Sequence, residues 1–484
     1  MKILLINPLI GSWEMGFFPL GLGSIARVLL DSGHQVKVLD INAFRWDKNE
    51  IAKLIYEEDF DVCGIGALIT QYSYVKWLCR AVRTMKSQAK IVVGGGLATA
   101  IPDMLLERTP ADVAVIGEGE ITAKELFMAL ENGIDLKTVK GICFKEKGEL
   151  YHTAPREYIK DLDDVKFPAW HLFPMEQYLK SKFLAMRTSF NSSLRVTNLI
   201  TSRGCPFSCR YCYHGIYGRQ FRARSAENII AEMKYLKNTY GVQGFMLDDD
   251  TFVVDRQRVK KFCEELINEK LKIVWSCNGR VNLMDEELVK QMKRAGCRLI
   301  AYGVESGNQG ILDAMNRKNT VEQNRKVIEM TWRNGIIPYA HLMIGMIGET
   351  PETIKDTVKF CKEMQVGQGL GWITLYPGTP LLEQAKEMGK VKDYEKLIEE
   401  DCLLGDKLVV NLTNIPDDKL RQLRSDAEEE IIASTTLRRL YRICKIVGIK
   451  AIISDLYPLL RTTTLPKKLF RYILNIVKKG VGIK

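Results

Sequence analysis

Three cysteines stand close together in Arg203-Gly204-Cys205-Pro206-Phe207-Ser208-Cys209-Arg210-Tyr211-Cys212. Spacings of four and three residues let three thiolates wrap one side of a small soft-metal site. A four-iron cubane held by three cysteines keeps one iron open for a further ligand. A structural zinc site is the alternative, but zinc normally takes four protein ligands, and His214 is the nearest fourth candidate. The chain holds 12 cysteines in all. Those outside this group are scattered through apolar contexts and read as small core residues, not as a disulfide scaffold.

These thiols need a scaffold, and composition bounds it. The 484 residues, 46% hydrophobic and 27% charged, suit a folded chain of two or three domains and exclude a disordered one. The net charge of +11 is local. Residues 437–484 carry 12 Lys+Arg against the single acid Asp455, so the body of the chain is neutral. The most apolar stretches, 3–13 and 443–460, are too short for a membrane span or are broken by Lys445, Lys450 and Asp455. One Lys2 before an apolar run without a small-residue cleavage site suggests a buried first strand, not a signal peptide.

The fold class expected is α/β. Apolar runs at 2–7, 36–40, 62–68, 91–93 and 113–116 read as strands of a parallel sheet covered on both faces, separated by helical stretches such as 20–32. Strand ends carry glycines at Gly64-Ile65-Gly66, Gly94-Gly95-Gly96 and Gly117-Glu118-Gly119-Glu120, where doubly wound sheets bind ligands. A connector with little periodicity, 148–194, contains Asp161-Leu162-Asp163-Asp164 and Phe167-Pro168-Ala169-Trp170. A second alternating series follows, with strands at 198–201, 244–247, 273–277, 299–304, 339–344 and 371–375. Six βα units make a partial barrel or a second open sheet. The domains expected are therefore 1–147, the linker 148–194, the barrel 195–394 and a helical region 395–484.

The Cys-x3-Cys-x-Tyr-Cys pattern after a first barrel strand resembles the signature of the radical S-adenosylmethionine superfamily. Further resemblances follow in order at later strand ends: Leu247-Asp248-Asp249-Asp250, Asn278-Gly279-Arg280, Gly303-Val304-Glu305-Ser306-Gly307, Gly345-Met346-Ile347-Gly348-Glu349-Thr350 and Tyr376-Pro377-Gly378-Thr379-Pro380. The N-terminal half and the linker resemble the Rossmann-like cobalamin-binding region that precedes this barrel in one large subgroup. The resemblance covers roughly residues 1–395.

It implies that Cys205, Cys209 and Cys212 ligate a [4Fe–4S] cluster whose open iron binds S-adenosylmethionine. Reductive cleavage, fed by an electron donor such as flavodoxin or ferredoxin, then yields a 5′-deoxyadenosyl radical. Contacts to S-adenosylmethionine are implied for Tyr211, Asp248, Arg280, Gly303, Glu305, Ser306 and Gly345. The acids Asp248, Asp249 and Asp250 have a plainer reading as solvated or capping groups, and without nearby histidine they do not make a metal site alone.

For cobalamin the resemblance implies Pro19, Leu20, Gly21 and Leu22 beside the corrin ring and Ala67, Leu68 and Thr70 below it. Gly94, Gly95 and Gly96 would admit the nucleotide tail, with Gly117, Glu118 and Glu120 flanking the ring. No Asp-x-His-x-x-Gly pattern is present, and His34 reads as an exposed turn residue, so cobalt would lack a protein histidine. An empty, degenerate domain is the alternative. The cysteines before the barrel, Cys63, Cys79 and Cys143, do not match the methylthiotransferase arrangement.

Two basic amphipathic patterns close the chain. In 437–447, Leu437, Leu440, Tyr441, Cys444 and Val447 oppose Arg438, Arg442 and Lys445, and 466–479 repeats the scheme. They either pack on the barrel or meet an anionic membrane surface. Nucleic acid is disfavoured, because no binding module is visible. The expectation is a cytoplasmic, peripherally membrane-bound enzyme that methylates an unactivated carbon of a small-molecule or lipid-like substrate. Cyclisation, ring rearrangement or oxidation is the alternative, and a non-catalytic iron–sulfur or cobalamin-binding protein is the rival of another class.

Overall fold

A computed structural model describes residues 1–11, 16–367, 369–400 and 405–447. The chain divides into two compact units: Met1–Tyr178, Ser202–Asn228 and Thr374–Val410 form one, and the remaining segments form the other. By packing, the cysteine segment groups with the first unit.

The first unit is built on a seven-stranded sheet. Its strands are β1 (Lys2–Asn7), β2 (Gln35–Asp40), β3 (Val62–Gly66), β4 (Lys90–Gly94), β5 (Val113–Val115), β6 (Ile142–Glu146) and β7 (Glu149–His152), in the order β2-β1-β3-β4-β5-β6-β7. The first five pair in parallel. Five of the six β1 residues are buried, as a strand covered on both faces requires. Order 2-1-3-4-5 puts the topological switch between β1 and β3, and the crevice for a ligand opens at their carboxyl ends. Helices α1 (Leu20–Asp31), α2 (Tyr72–Met85), α3 (Pro102–Arg108) and α4 (Gly119–Asn132) connect or cover these strands.

Two expectations change here. Residues 142–152 form an antiparallel hairpin, β6–β7, because the turn at Lys147 and Gly148 folds the chain back on itself. The first part of the linker, up to Tyr178, packs within this unit. Phe18 packs against Trp170 at 4.0 Å between ring centroids, and Ala169 N–H donates to the Gly23 carbonyl at 3.0 Å. A Cβ on Gly23 would come within 2.9 Å of Pro168, so this close docking needs glycine.

The second unit carries a six-stranded, all-parallel half-barrel sheet. Its strands are β8 (Val196–Leu199), β9 (Gly244–Leu247), β10 (Val274–Gly279), β11 (Cys297–Glu305), β12 (Ile337–Ile344) and β13 (Gly371–Trp372), in sequential order. Helix α5 (Lys182–Ser189), unforeseen in the linker, packs across β8, β9, β10 and β11. Ser181 caps it by accepting from Leu184 N–H. Helices α6 (Pro351–Met364) and α7 (Asp417–Val447) pack together. Proline at N1 and the Thr350 hydroxyl start α6.

The end of α7 corrects the expected amphipathic face. The buried stripe is Ile431, Thr435, Arg439 and Ile443, whereas Tyr441 is exposed. Arg439 donates to the Gly367 carbonyl at 3.0 Å, so one tail cation is spent inside the fold. The pattern at 466–479 lies outside the described residues. No described helix is long and apolar enough to cross a membrane.

Candidate active site

Within the first unit, the cysteine segment is a loop closed by a two-residue antiparallel ribbon, Ser202–Arg203 against Arg222–Ala223. Cys209 is buried, while Cys205 and Cys212 are half-buried. Cys212 N–H donates to the Cys209 carbonyl at 3.3 Å, and Cys205 N–H reaches the Gly218 carbonyl at 3.4 Å. Gly204 has φ +82° and leaves no room for a Cβ against the Gln220 carbonyl. The loop bends there because the residue is glycine. Leu381 N–H holds the Arg210 carbonyl at 3.0 Å, so the segment after the last strand braces the loop.

The loop meets the glycine tips of the same unit. A Cβ on Gly96 would touch Ile216 Cδ1 at 3.5 Å, and one on Gly117 would lie 3.9 Å from the Ile216 carbonyl oxygen. Beneath this contact sits a buried ion-pair cluster. Arg203 donates to Glu118 at 3.0 Å and to Glu120 at 2.5 Å. Arg222 donates to both Glu118 oxygens, at 2.9 and 3.0 Å. Burial works against the Arg203 charge, but Glu120, Tyr217 and Glu118 outweigh it and hold its pKa above the usual value. Ile159 N–H also donates to Glu118 at 2.8 Å. Glu118 and Glu120, expected beside the corrin, are thus turned to the cysteine loop.

The other expected cobalamin residues divide by accessibility. Leu68 is 48% exposed at the β3 tip, and its N–H is held by the Gln71 side chain at 2.7 Å. Gln71 in turn donates to the carbonyls of Pro8 and Leu9, fixing the loops after β1 and β3 together. No motif marks Gln71 in the sequence. Thr70, Pro19, Leu20, Gly94 and Gly117 are partly open, and Gly21 and Gly95 are exposed. Ala67, Gly96 and Leu22 are enclosed, with Leu22 over Gly66. Gly95 has φ +84° and ψ −160°, and a Cβ there would lie 2.7 Å from the Ala67 carbonyl. A bare backbone cradle with an exposed leucine beside it fits a large flat ring and its tail. His34 lies before β2, at the opposite edge. It is buried, not exposed as expected, with Nδ1 3.4 Å from the amino terminus of Met1.

Within the second unit, the tip of β11 is strained. Glu305 has φ +62°, and the β11–β12 register shifts between Gly303 and Glu305. A non-glycine residue held left-handed at a strand tip is a common mark of a functional site. Arg317 lies 3.6 Å from the Glu305 carboxylate and donates to the Gly303 carbonyl at 2.6 Å. Arg317, which no sequence motif marks, comes from the loop after the Gln309–Ala314 helix. Arg280 is buried and bonds the Arg317 carbonyl and, at 3.1 Å, Asn282. Ser306 is turned to α6, where its hydroxyl meets Thr357 at 3.2 Å. Gly345 N–H donates to Glu349 at 2.9 Å.

The three aspartates also separate. Asp249 is buried and accepts from Thr201 N–H and Oγ1, each at 2.6 Å, so it is structural. Burial, with help from Asp249 and Asp250, pushes Asp248 up to about 6. Alternate residues of β12 carry further polar groups. Burial, then Arg187 and Arg317, bring His341 down to about 4, and Arg187 stacks over Tyr339 at 4.1 Å. The polar groups of Tyr339 and His341 at alternate positions of an apolar strand are the signal for these residues.

Two family models match the chain. Residues 199–361 match the radical SAM superfamily model, and residues 6–127 match the B12 binding domain. The chain is 31% identical over 370 residues to an uncharacterized methyltransferase of Pyrococcus horikoshii, covering 76% of this chain and 78% of that one. It is 28% identical over 415 residues to the anaerobic magnesium-protoporphyrin IX monomethyl ester cyclase of Rubrivivax gelatinosus, covering 82% and 72%. The fold is that of the radical S-adenosylmethionine methyltransferase TsrM from Kitasatospora setae, solved with cobalamin and a [4Fe-4S] cluster bound. The TM-score is 0.67 at 19% identity, covering 81% and 79%. The chain therefore belongs to the cobalamin-dependent radical S-adenosylmethionine enzymes, and its cofactors are a [4Fe–4S] cluster, S-adenosylmethionine and cobalamin.

Proposed function

We propose that this enzyme transfers a methyl group to an unactivated carbon of a small-molecule substrate. The observation that carries the reading is the seating of the cysteine loop, through Ile216, on the Gly96 and Gly117 tips of the B12 sheet. The methyltransferase from P. horikoshii supports methylation as the outcome. When bound, the cluster and S-adenosylmethionine supply hydrogen-atom abstraction, and cobalamin supplies a transferable methyl group.

The chain's own residues then have distinct tasks. Cys205, Cys209 and Cys212 would hold the cluster, and the donor set fits, being three thiols on one loop with two half-buried. Tyr211, Asp248, Gly303, Glu305 and Gly345 would contact S-adenosylmethionine. Arg317 would join them, while Arg280 and Ser306 act by fixing neighbouring backbone. Pro19, Leu20, Gly21, Leu68, Thr70, Gly94, Gly95 and Gly117 would receive cobalamin. Glu118 and Glu120 would hold Arg203 and Arg222 instead of touching the ring. An apolar or lipid-like substrate and peripheral association with an anionic membrane are supported by the basic charge after Val447.

The test is incorporation of label from S-adenosylmethionine carrying a deuterated methyl group. Extracts with and without the gene are incubated anaerobically with the reconstituted enzyme and compared by mass spectrometry. A labelled, methylated product is expected. A cyclised or oxidised product without label would overturn methyl transfer and favour the chemistry class to which the magnesium-protoporphyrin cyclase relatives belong.

A further inference from the structure

One group of metal-ligating side chains has no part in the site above. Cys143 on β6 and His152 on β7 are direct cross-strand partners, so both project from the same face of the hairpin. Asp103, in the first turn of α3, comes up beside them. Each offers one ligand atom, and the three atoms lie within 4.8 Å of one another. Cys143 Sγ is 3.5 Å from His152 Nε2 and 3.8 Å from Asp103 Oδ1. His152 Nε2 and Asp103 Oδ1 are 2.5 Å apart.

This convergence is not a nucleophilic triad. There, the nucleophile and the orienting carboxylate face different ring nitrogens of the histidine. Here the thiol and the carboxylate both address Nε2. Three ligand atoms of different chemistry within 4.8 Å of one another can instead share one cation. Tetrahedral zinc, with bonds of about 2.3 Å to sulfur and about 2.0–2.1 Å to nitrogen or oxygen, sets ligand atoms about 3.4–3.6 Å apart. Both sulfur edges already stand near that value. Only the Nε2–Oδ1 edge must open, by about 1 Å on the same geometry. The side chains on that edge are 49% and 58% exposed, so the carboxylate is free to turn.

We propose that Asp103, Cys143 and His152 form a binding site for a borderline divalent cation, zinc being the natural fit. A thiolate, an imidazole and a carboxylate together disfavour magnesium and calcium and suit zinc. Three protein ligands leave the fourth, solvent-facing position to water. The site has a structural use. Three of the four β7 residues are exposed, so the strand gains little from apolar burial and sits at the sheet edge. A cation shared with α3 would staple that edge to the body of the unit.

The experiment uses the reconstituted holoenzyme, loaded with zinc and then desalted. Metal analysis is expected to find one zinc per chain beside the full complement of iron. Zinc-edge X-ray absorption is expected to show one sulfur neighbour with nitrogen and oxygen completing the shell. His152→Ala, an exposed change that leaves the core intact, and Cys143→Ser should each lower zinc affinity at least tenfold and leave iron content unchanged. Amide exchange in β7 should slow at least tenfold on zinc binding in the parent and not in His152→Ala. Two or more sulfur neighbours would place the zinc in the cysteine loop instead and overturn the site. Equal zinc in parent and variants, or none retained by the parent, would overturn it as well.

Discussion

Arg203 and Glu118 are 85 residues apart in sequence and 3.0 Å apart in the fold. One opens the cysteine loop and the other follows the glycine tip of β5. With Arg222 and Glu120 they form two acids against two bases, all nearly buried, and the charge balances inside the unit.

Breaking that balance should be costly. Glu118→Gln leaves two guanidinium groups facing one carboxylate, and losing one partner of a buried ion pair costs about 3–5 kcal/mol. The expected outcome is a lowered denaturation midpoint together with at least a halving of iron bound after reconstitution. Glu118→Asp should recover part of both. Wild-type iron content in Glu118→Gln would show that the cluster loop holds its shape without the network.

The cluster assignment has a direct check. Anaerobically reconstituted protein should carry about four irons and four sulfides per chain. Replacing Cys205, Cys209 and Cys212 together by Ala should remove the iron–sulfur absorption and all 5′-deoxyadenosine formation. Unchanged iron in the triple variant would reassign the ligands.

Cobalamin binding is expected to depend on Gly95 and not on His34. At φ +84° and ψ −160° the Gly95 backbone lies in a region open essentially to glycine alone, and Ala there costs about 1–3 kcal/mol. Gly95→Ala should retain at least tenfold less cobalamin after desalting. His34→Ala should bind like the parent, and the cob(II)alamin resonance should show no histidine nitrogen coupling. Such a coupling that vanishes in His34→Ala would refute the assignment.

Asp248 supplies a pH-dependent signature. Its carboxyl, pushed up to about 6, holds its proton more tightly in the folded than in the unfolded chain. Stability from this group is therefore full below about pH 4, the unfolded value, and is lost as pH rises through about 6. Asp248→Asn removes the loss, so its melting temperature should exceed the parent's at pH 7.5. The difference should shrink as pH falls through 6. A pH-independent difference would mean that the carboxylate is not desolvated.

The membrane reading can be tested on the chain beyond the packed helix. Eight Lys+Arg and the single Asp455 follow Val447. Each basic residue near an anionic leaflet contributes about 1 kcal/mol, screened over about 8 Å at physiological salt. Full-length protein should sediment with anionic vesicles, less so at high salt, and a chain ending at Val447 should stay in solution. Equal sedimentation of both forms, or of neutral and anionic vesicles, would remove the lipid reading.

Local chemistry made part of this protein legible in its sequence. The spacing of Cys205, Cys209 and Cys212 is a property of ten residues. A run such as Lys2–Asn7 announces a buried strand, because five apolar or amide side chains in succession leave no face for water. Gly95 and Gly204 mark backbone that other residues strain to adopt.

What the tertiary structure decided are relations between distant segments. The sequence placed Glu118 and Glu120 at a ligand edge, and only folding shows that Arg203 and Arg222 claim them. Arg317 reaches Glu305 from a loop with no motif, and α5 covers strands that follow it in the chain. Cys143, His152 and Asp103 come together only because a hairpin and a helix end at one sheet edge. The physical reason is common to all of them. Backbone preference and apolar periodicity act over a few residues, whereas a buried charge takes whichever opposite charge the packing of the whole chain brings within reach.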